Sequence, residues 1–101
     1  MDIRFEWDPE KARLNWRKHR VSFEMALRVF ADPFQMSAQD RVEGGELRWR
    51  TIGAVEGQVV LVVAHAVAQD ETGIESIRVI SARRADSKEK RQYEQNRQAQ
   101  G

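Results

Sequence analysis

The sequence predicts an α+β domain: an antiparallel sheet of about four strands, with two helices before it and one after it. Two observations carry that expectation. Apolar residues recur at helical spacing up to Asp32-Pro33 and at a period close to two from Phe34 to Ala82, after which comes a polar segment opened by Asp86 and Glu89. Helices segregated from strands along a chain pack chiefly on one face of a sheet, which leaves the other face free for a partner or a substrate. The 101 residues suit a single domain with a single core.

The elements follow in order. "IRFEW", Ile3 to Trp7, can pair as a short strand. Asp8 then supplies an N-cap and Pro9 the first helical position, so a helix begins there. Within it Ala12 and Trp16 share a face expected to pack, whereas Lys11, Asn15, Lys18 and His19 share a polar, mostly cationic one. Ser22 can cap a second helix, in which Phe23, Ala26, Leu27 and Phe30 fit the core spacing, and Asp32-Pro33 should end it. "FQMSAQDR" and "ELRWRTIGAV" flank "VEGG" and read as a hairpin, with Leu47, Trp49 and Thr51 on one face and Glu46, Arg48 and Arg50 on the other. "QVVLVVAHAVA" is apolar on both faces and reads as a central strand, and "IESIRVISA" completes the sheet. Asp86 and Glu89 can form a capping box for a last helix, with residues 96–101 a frayed tail.

Composition narrows the function classes. A formal net charge of +1 does not by itself imply a nucleic-acid partner. Without cysteine there is neither a disulfide framework nor a thiolate metal site, and two histidines are too few for a zinc centre. Asp32, Asp40 and Glu46 lack a metal-binding spacing, so no metal or other cofactor is expected. The charged start "MDIRFEWD" is unlike a signal peptide, and the longest apolar run, Val59 to Ala68, is about half of what a bilayer span needs. A cytoplasmic protein with no membrane partner is the expectation.

Positive charge gathers in two segments, Lys11 to Arg20 and Arg83 to Arg91, with Arg78 leading into the second. Brought together, they would form one cationic surface suited to phosphates; apart, each is a solvated face. The first segment holds five Lys or Arg and no acid, and so lacks the Glu–Lys alternation of an ordinary solvated helix. His19, at a helix end, can exchange protons near neutral pH or simply bond the terminal carbonyls. His65 falls in phase with Val59, Leu61 and Val63 and reads as a core histidine. Arg78, Arg83 and Arg84 flank the exit of the last strand, where guanidinium forks could hold phosphate. Tyr93 can be a phosphate donor, a stacking ring or a helix anchor, and the three tryptophans fall on apolar phases that read as core.

The segments "FEWDPEKARLNWRKHRVSFEMA", "VFADP" and "RVISARRADSKEKRQYE" together resemble the BrnT family of type II toxin–antitoxin systems, over about Ile3 to Glu94. The resemblance implies a RelE-like ribonuclease that inhibits translation by cutting RNA. It also implies neutralisation by a BrnA-type antitoxin, whose ribbon-helix-helix domain would carry the hetero-oligomer to operator DNA. Two positions depart from the family pattern: Arg20 stands where glycine is usual after the Lys-His pair, and Arg84 where lysine is common.

Chemistry and resemblance converge on metal-independent cleavage, in which a base takes the 2'-OH proton, cations stabilise the phosphorane and an acid protonates the leaving 5'-oxygen. Arg78 and Arg83 are the expected charge stabilisers, and Lys11, Lys18, Arg48 and Arg84 the expected RNA contacts. His19 is the candidate acid or base, with Glu89 and Tyr93 as alternatives. The competing class is a non-catalytic module that binds RNA or serves only as an antitoxin-bound co-repressor.

Overall fold

The computed structural model describes residues 3–101; Asp2, part of the charged start considered above, lies outside them. The chain runs β1 (Ile3–Glu6), α1 (Pro9–His19), α2 (Phe23–Leu27), a 3-10 turn (Arg28–Ala31), β2 (Met36–Glu43), β3 (Glu46–Val55), β4 (Val59–Gln69), β5 (Glu75–Arg84) and α3 (Ser87–Gln100). Asp8 and Ser22 cap the first two helices through their side chains. At the third, Asp86 accepts from the Glu89 backbone N–H while the Glu89 carboxylate accepts from that of Asp86. That helix continues to Gln100, through most of the segment expected to fray.

The sheet has five strands rather than four and is mixed rather than antiparallel, in the order β1-β5-β4-β3-β2. β1 joins its edge parallel to β5, from Ile3 opposite Glu75 to Glu6 opposite Arg78. Four residues could pair with any edge, and nothing local names a partner some seventy positions away.

The helices also divide differently from the expectation. α1, α2 and the 3-10 turn cover one face, where Val21, Phe23, Ala26 and Val29 bury against Val55, Leu61, Val63, Val79 and Ala82. α3 packs on the other face, placing Tyr93 against Ile52, Ala54, Val60 and Val62. The cause is legible in β3 and β4, whose apolar residues point both ways between 52 and 63, so that both faces of that end need cover. The second face is therefore only partly free. No helix among the described residues is long and apolar enough to cross a membrane.

Two residues of α1 exchange their expected places. Trp16 is 47% exposed, whereas Asn15 is buried. Its amide donates to the carbonyls of Val21 (2.9 Å) and Ala82 (2.8 Å) and accepts from the Ala82 N–H (3.1 Å). β1 pairs with β5 only as far as Arg78, so Ala82 lies on an unpaired strand edge whose backbone groups Asn15 satisfies.

Arg20 ends α1 in the left-handed region (φ 56°), its N–H bonded to the Trp16 carbonyl and its guanidinium 5.7 Å from the Trp16 ring centroid. Glycine would relieve about 1–2 kcal/mol of strain, against about 0.5–1 kcal/mol for the ring contact and a similar cost in unfolded-chain freedom. Urea denaturation should place Arg20→Gly within about 0.5 kcal/mol of the parent and Arg20→Ala, which keeps the strain and loses the contact, about 0.5–1 kcal/mol below it.

Candidate active site

Strand alternation puts Arg48 and Arg50 of β3 and Arg78, Ser81 and Arg83 of β5 on the sheet face that α3 shares. The register aligns Arg50 with Ala64 and Ala64 with Ser81, while Ala66 lies opposite Arg78. The central strand thus contributes alanines between flanking guanidinium groups. Such a floor is low enough for a backbone of phosphates to lie across it.

Most of these arginines rest on carboxylates. Glu46 receives Arg78, and also Arg48 at 3.3 Å from its Nε; Glu43 lies 3.7 Å from Arg48. Arg83 meets Glu89 in a two-pronged contact, 2.8 and 2.9 Å. The Arg83 hydrogen bonds hold the Glu89 carboxyl down at about 2, aided by the Asp86 N–H and by the charges of Arg83 and Arg50, against an opposing effect of burial. Arg50 is exposed and makes no ion pair among the described residues. Sequence reasoning placed Arg50 beside Arg48 on one strand face but did not count it as a site residue; that shared face was the available signal.

The α1 candidates collect at the edge of this face. Lys11, Lys18 and half-buried His19 line a concavity of about 230 Å³ together with Asn15 and Ser81. Ser81 has the same strand parity as Arg83, so the concavity adjoins the arginine face. Asn15 holds that arrangement by tying α1 to Ala82.

Two candidates do not join them. Arg84 alternates to the opposite side of β5 and lines a separate dent with Gln58, Val60 and Lys90. Tyr93 is 1% exposed and donates its hydroxyl to Asp32 Oδ2 at 2.6 Å; burial, then that carboxylate, pushes its hydroxyl up to about 12. It is a helix anchor, unable to reach an RNA or to release a proton near neutral pH. A larger cavity, about 460 Å³, lies beside it between Pro33, Phe34 and Arg97, where the buried carboxylate of Asp32 is already taken up by protein donors. No group of three or more His, Asp or Glu side chains among the described residues is placed to hold a metal.

Comparison with known proteins adds a family to this geometry. The family model described as "Ribonuclease toxin, BrnT, of type II toxin-antitoxin system" matches residues 7–89. The crystal structure of the Brucella abortus ribonuclease toxin BrnT superposes with a TM-score of 0.56 at 23% identity, over 85% of this chain and 100% of that one. No curated protein matches the chain.

Proposed function

Because this chain belongs to the BrnT family of ribonuclease toxins of type II toxin–antitoxin systems, we propose that the face bearing Arg48, Arg50, Arg78 and Arg83 is where it binds and cuts RNA, without a metal ion. The observation that carries this is four strand arginines on one sheet face with Lys11, Lys18 and His19 at its β5 edge. Arginines held by carboxylates are preoriented, so that a phosphate meets guanidinium groups already aimed across this face. Arg50, unpaired among the described residues, is the first contact for an incoming phosphate.

The reaction begins when a base takes the 2'-OH proton and the 2'-oxygen attacks the adjacent phosphorus. Arg78 and Arg83 stabilise the added negative charge, and an acid protonates the departing 5'-oxygen, leaving a 2',3'-cyclic phosphate. His19 serves as acid or base. Cutting RNA in a RelE-like fold would inhibit translation in the cytoplasm. A BrnA-type ribbon-helix-helix antitoxin would neutralise the toxin and bring the pair to operator DNA.

A defined RNA incubated with the purified protein in excess EDTA tests the reading, with fragment ends identified beside an Arg83→Ala variant shown to be folded. The parent should give cyclic-phosphate ends and the variant about 100 to 1,000-fold less product, the usual cost of one charge-stabilising donor. RNA left intact by the parent, with and without ribosomes, would instead make the chain a binding module.

A further inference from the structure

The face that α1 and α2 cover is not covered along its whole length, and its open end carries a second concavity of about 400 Å³, lined by Phe30, Trp49, His65, Val67 and Ile77. Three features bear on what could cover it. First, a polar atom lies buried in an apolar lining without a partner. His65 is 4% exposed; its Nε2 lies 2.8 Å from Thr51 Oγ1, which in turn meets Ser37 Oγ at 2.6 Å, but its Nδ1 has no hydrogen-bond partner among the described residues. Burial pushes the imidazole down to about 4, so it is neutral at physiological pH and Nδ1 can form one further bond. Second, apolar surface continues outward from the concavity: Ile3 is 49% and Val67 42% exposed, and exposed Leu47 shares the strand face of Trp49. Third, among the described residues the only charged group in its lining is Glu75, with no Lys or Arg to receive a phosphate.

We propose that this groove anchors the antitoxin, through an amphipathic segment that inserts a large apolar side chain over Trp49 and Val67, completes the hydrogen bonding of His65 Nδ1 and sets a Lys or Arg against Glu75. The proposal rests on the antitoxin partner proposed above and adds where that partner is held: on the sheet face opposite the RNA-binding arginines. An apolar segment with a flanking cation matches a lining that is apolar and acidic, whereas an RNA phosphate finds no counterion there among the described residues. Anchoring of this kind needs no contact between the antitoxin and the arginines.

The test measures binding of purified antitoxin from the same operon to the parent, to Val67→Glu and to Arg50→Glu by titration calorimetry, with size-exclusion chromatography of each toxin alone. Val67→Glu should bind about 30-fold or more weakly, the effect of losing a central apolar contact, while cleaving RNA like the parent; Arg50→Glu should bind the antitoxin like the parent. The His65 ring nitrogens of the parent should shift on addition of antitoxin and not on addition of RNA, a readout independent of whether Val67→Glu folds. Equal affinity of Val67→Glu and the parent, or unmoved His65 nitrogens, would overturn the groove while leaving the antitoxin partner intact. A parent that is dimeric alone and becomes monomeric on Val67→Glu would give the groove to a second copy of this chain. Antitoxin that fails to bind even the parent would remove the partner reading and the groove together.

Discussion

Replacing His19 with alanine should slow RNA cleavage by about 100 to 10,000-fold, the range for a lost general acid or base, without moving the denaturation midpoint by more than about 0.5 kcal/mol, as for a substitution outside the core. The expectation follows from the chemistry of the three proton-transfer candidates. Tyr93 is buried against Asp32 with its hydroxyl at about 12, so it neither reaches a ribose nor gives up its proton. Glu89 is held at about 2 by Arg83, which makes it a weak base and leaves it unprotonated, hence no acid, at neutral pH. His19 alone sits half-buried at the edge of the arginine face, in a concavity with Lys11, Lys18 and Ser81. Glu89→Gln should therefore retain cleavage within about tenfold of the parent, far above the loss typical of a missing base. Single-turnover rates on one RNA decide the matter. Cleavage by His19→Ala at the parent rate would return the role to another group.

The largest loss of stability is expected at Asp32, which no cleavage assay would single out. Its carboxylate accepts from the Ala54 N–H (2.7 Å), the Tyr93 hydroxyl (2.6 Å) and the Phe34 N–H (2.9 Å), joining the end of the 3-10 turn to β3 and α3. Asp32→Ala leaves the first two donors buried without acceptors and should cost about 3–4 kcal/mol, read from urea midpoints. Burial tends to raise the Asp32 pKa, but the hydrogen bonds from Ala54, Tyr93 and Phe34, with the charge of Arg97, lower it overall. A lowered folded-state pKa gives stability that is complete above the unfolded value of 3.8 and is lost as pH falls through the folded one. Tyr93 works in the opposite direction. Its pKa is raised from 10.0 to about 12, so its contribution is complete below pH 10 and is lost as pH rises through about 12. Tyr93→Phe should cost about 1–2 kcal/mol at neutral pH and abolish the alkaline loss between those values. An unchanged alkaline slope would mean that Tyr93 does not carry it.

Helix starts were readable because Asp8-Pro9, Ser22 and the Asp86/Glu89 pair act within four residues of themselves, and each caps as its spacing implies. Trp16 and Asn15 show where local reading failed. Hydrophobicity assigned the tryptophan to the core, yet the deciding demand came from the unpaired backbone of Ala82, sixty-seven residues from Asn15, which a short amide satisfies and an indole does not. At the site, the residue types were legible but their grouping was not. Arg84 looked equivalent to Arg83 until strand alternation sent the two to opposite sides, and Arg50 entered only when the register brought it level with Ser81 through Ala64.

The sequence by itself determined the α+β class, the hairpins, the helix caps and the two basic segments, since each depends on period, turn chemistry or charge within a short window. The tertiary structure alone decided that β1 joins β5 in parallel, that α3 crosses to the second face, that Tyr93 is locked against Asp32 and that Asn15 ties the basic helix α1 to the β5 edge. The physical reason is common to all four. Each satisfies a group, whether an unpaired strand edge, a second apolar sheet face or a buried hydroxyl, whose partner lies dozens of residues away, and chain-distant demands of that kind leave no mark on the local pattern.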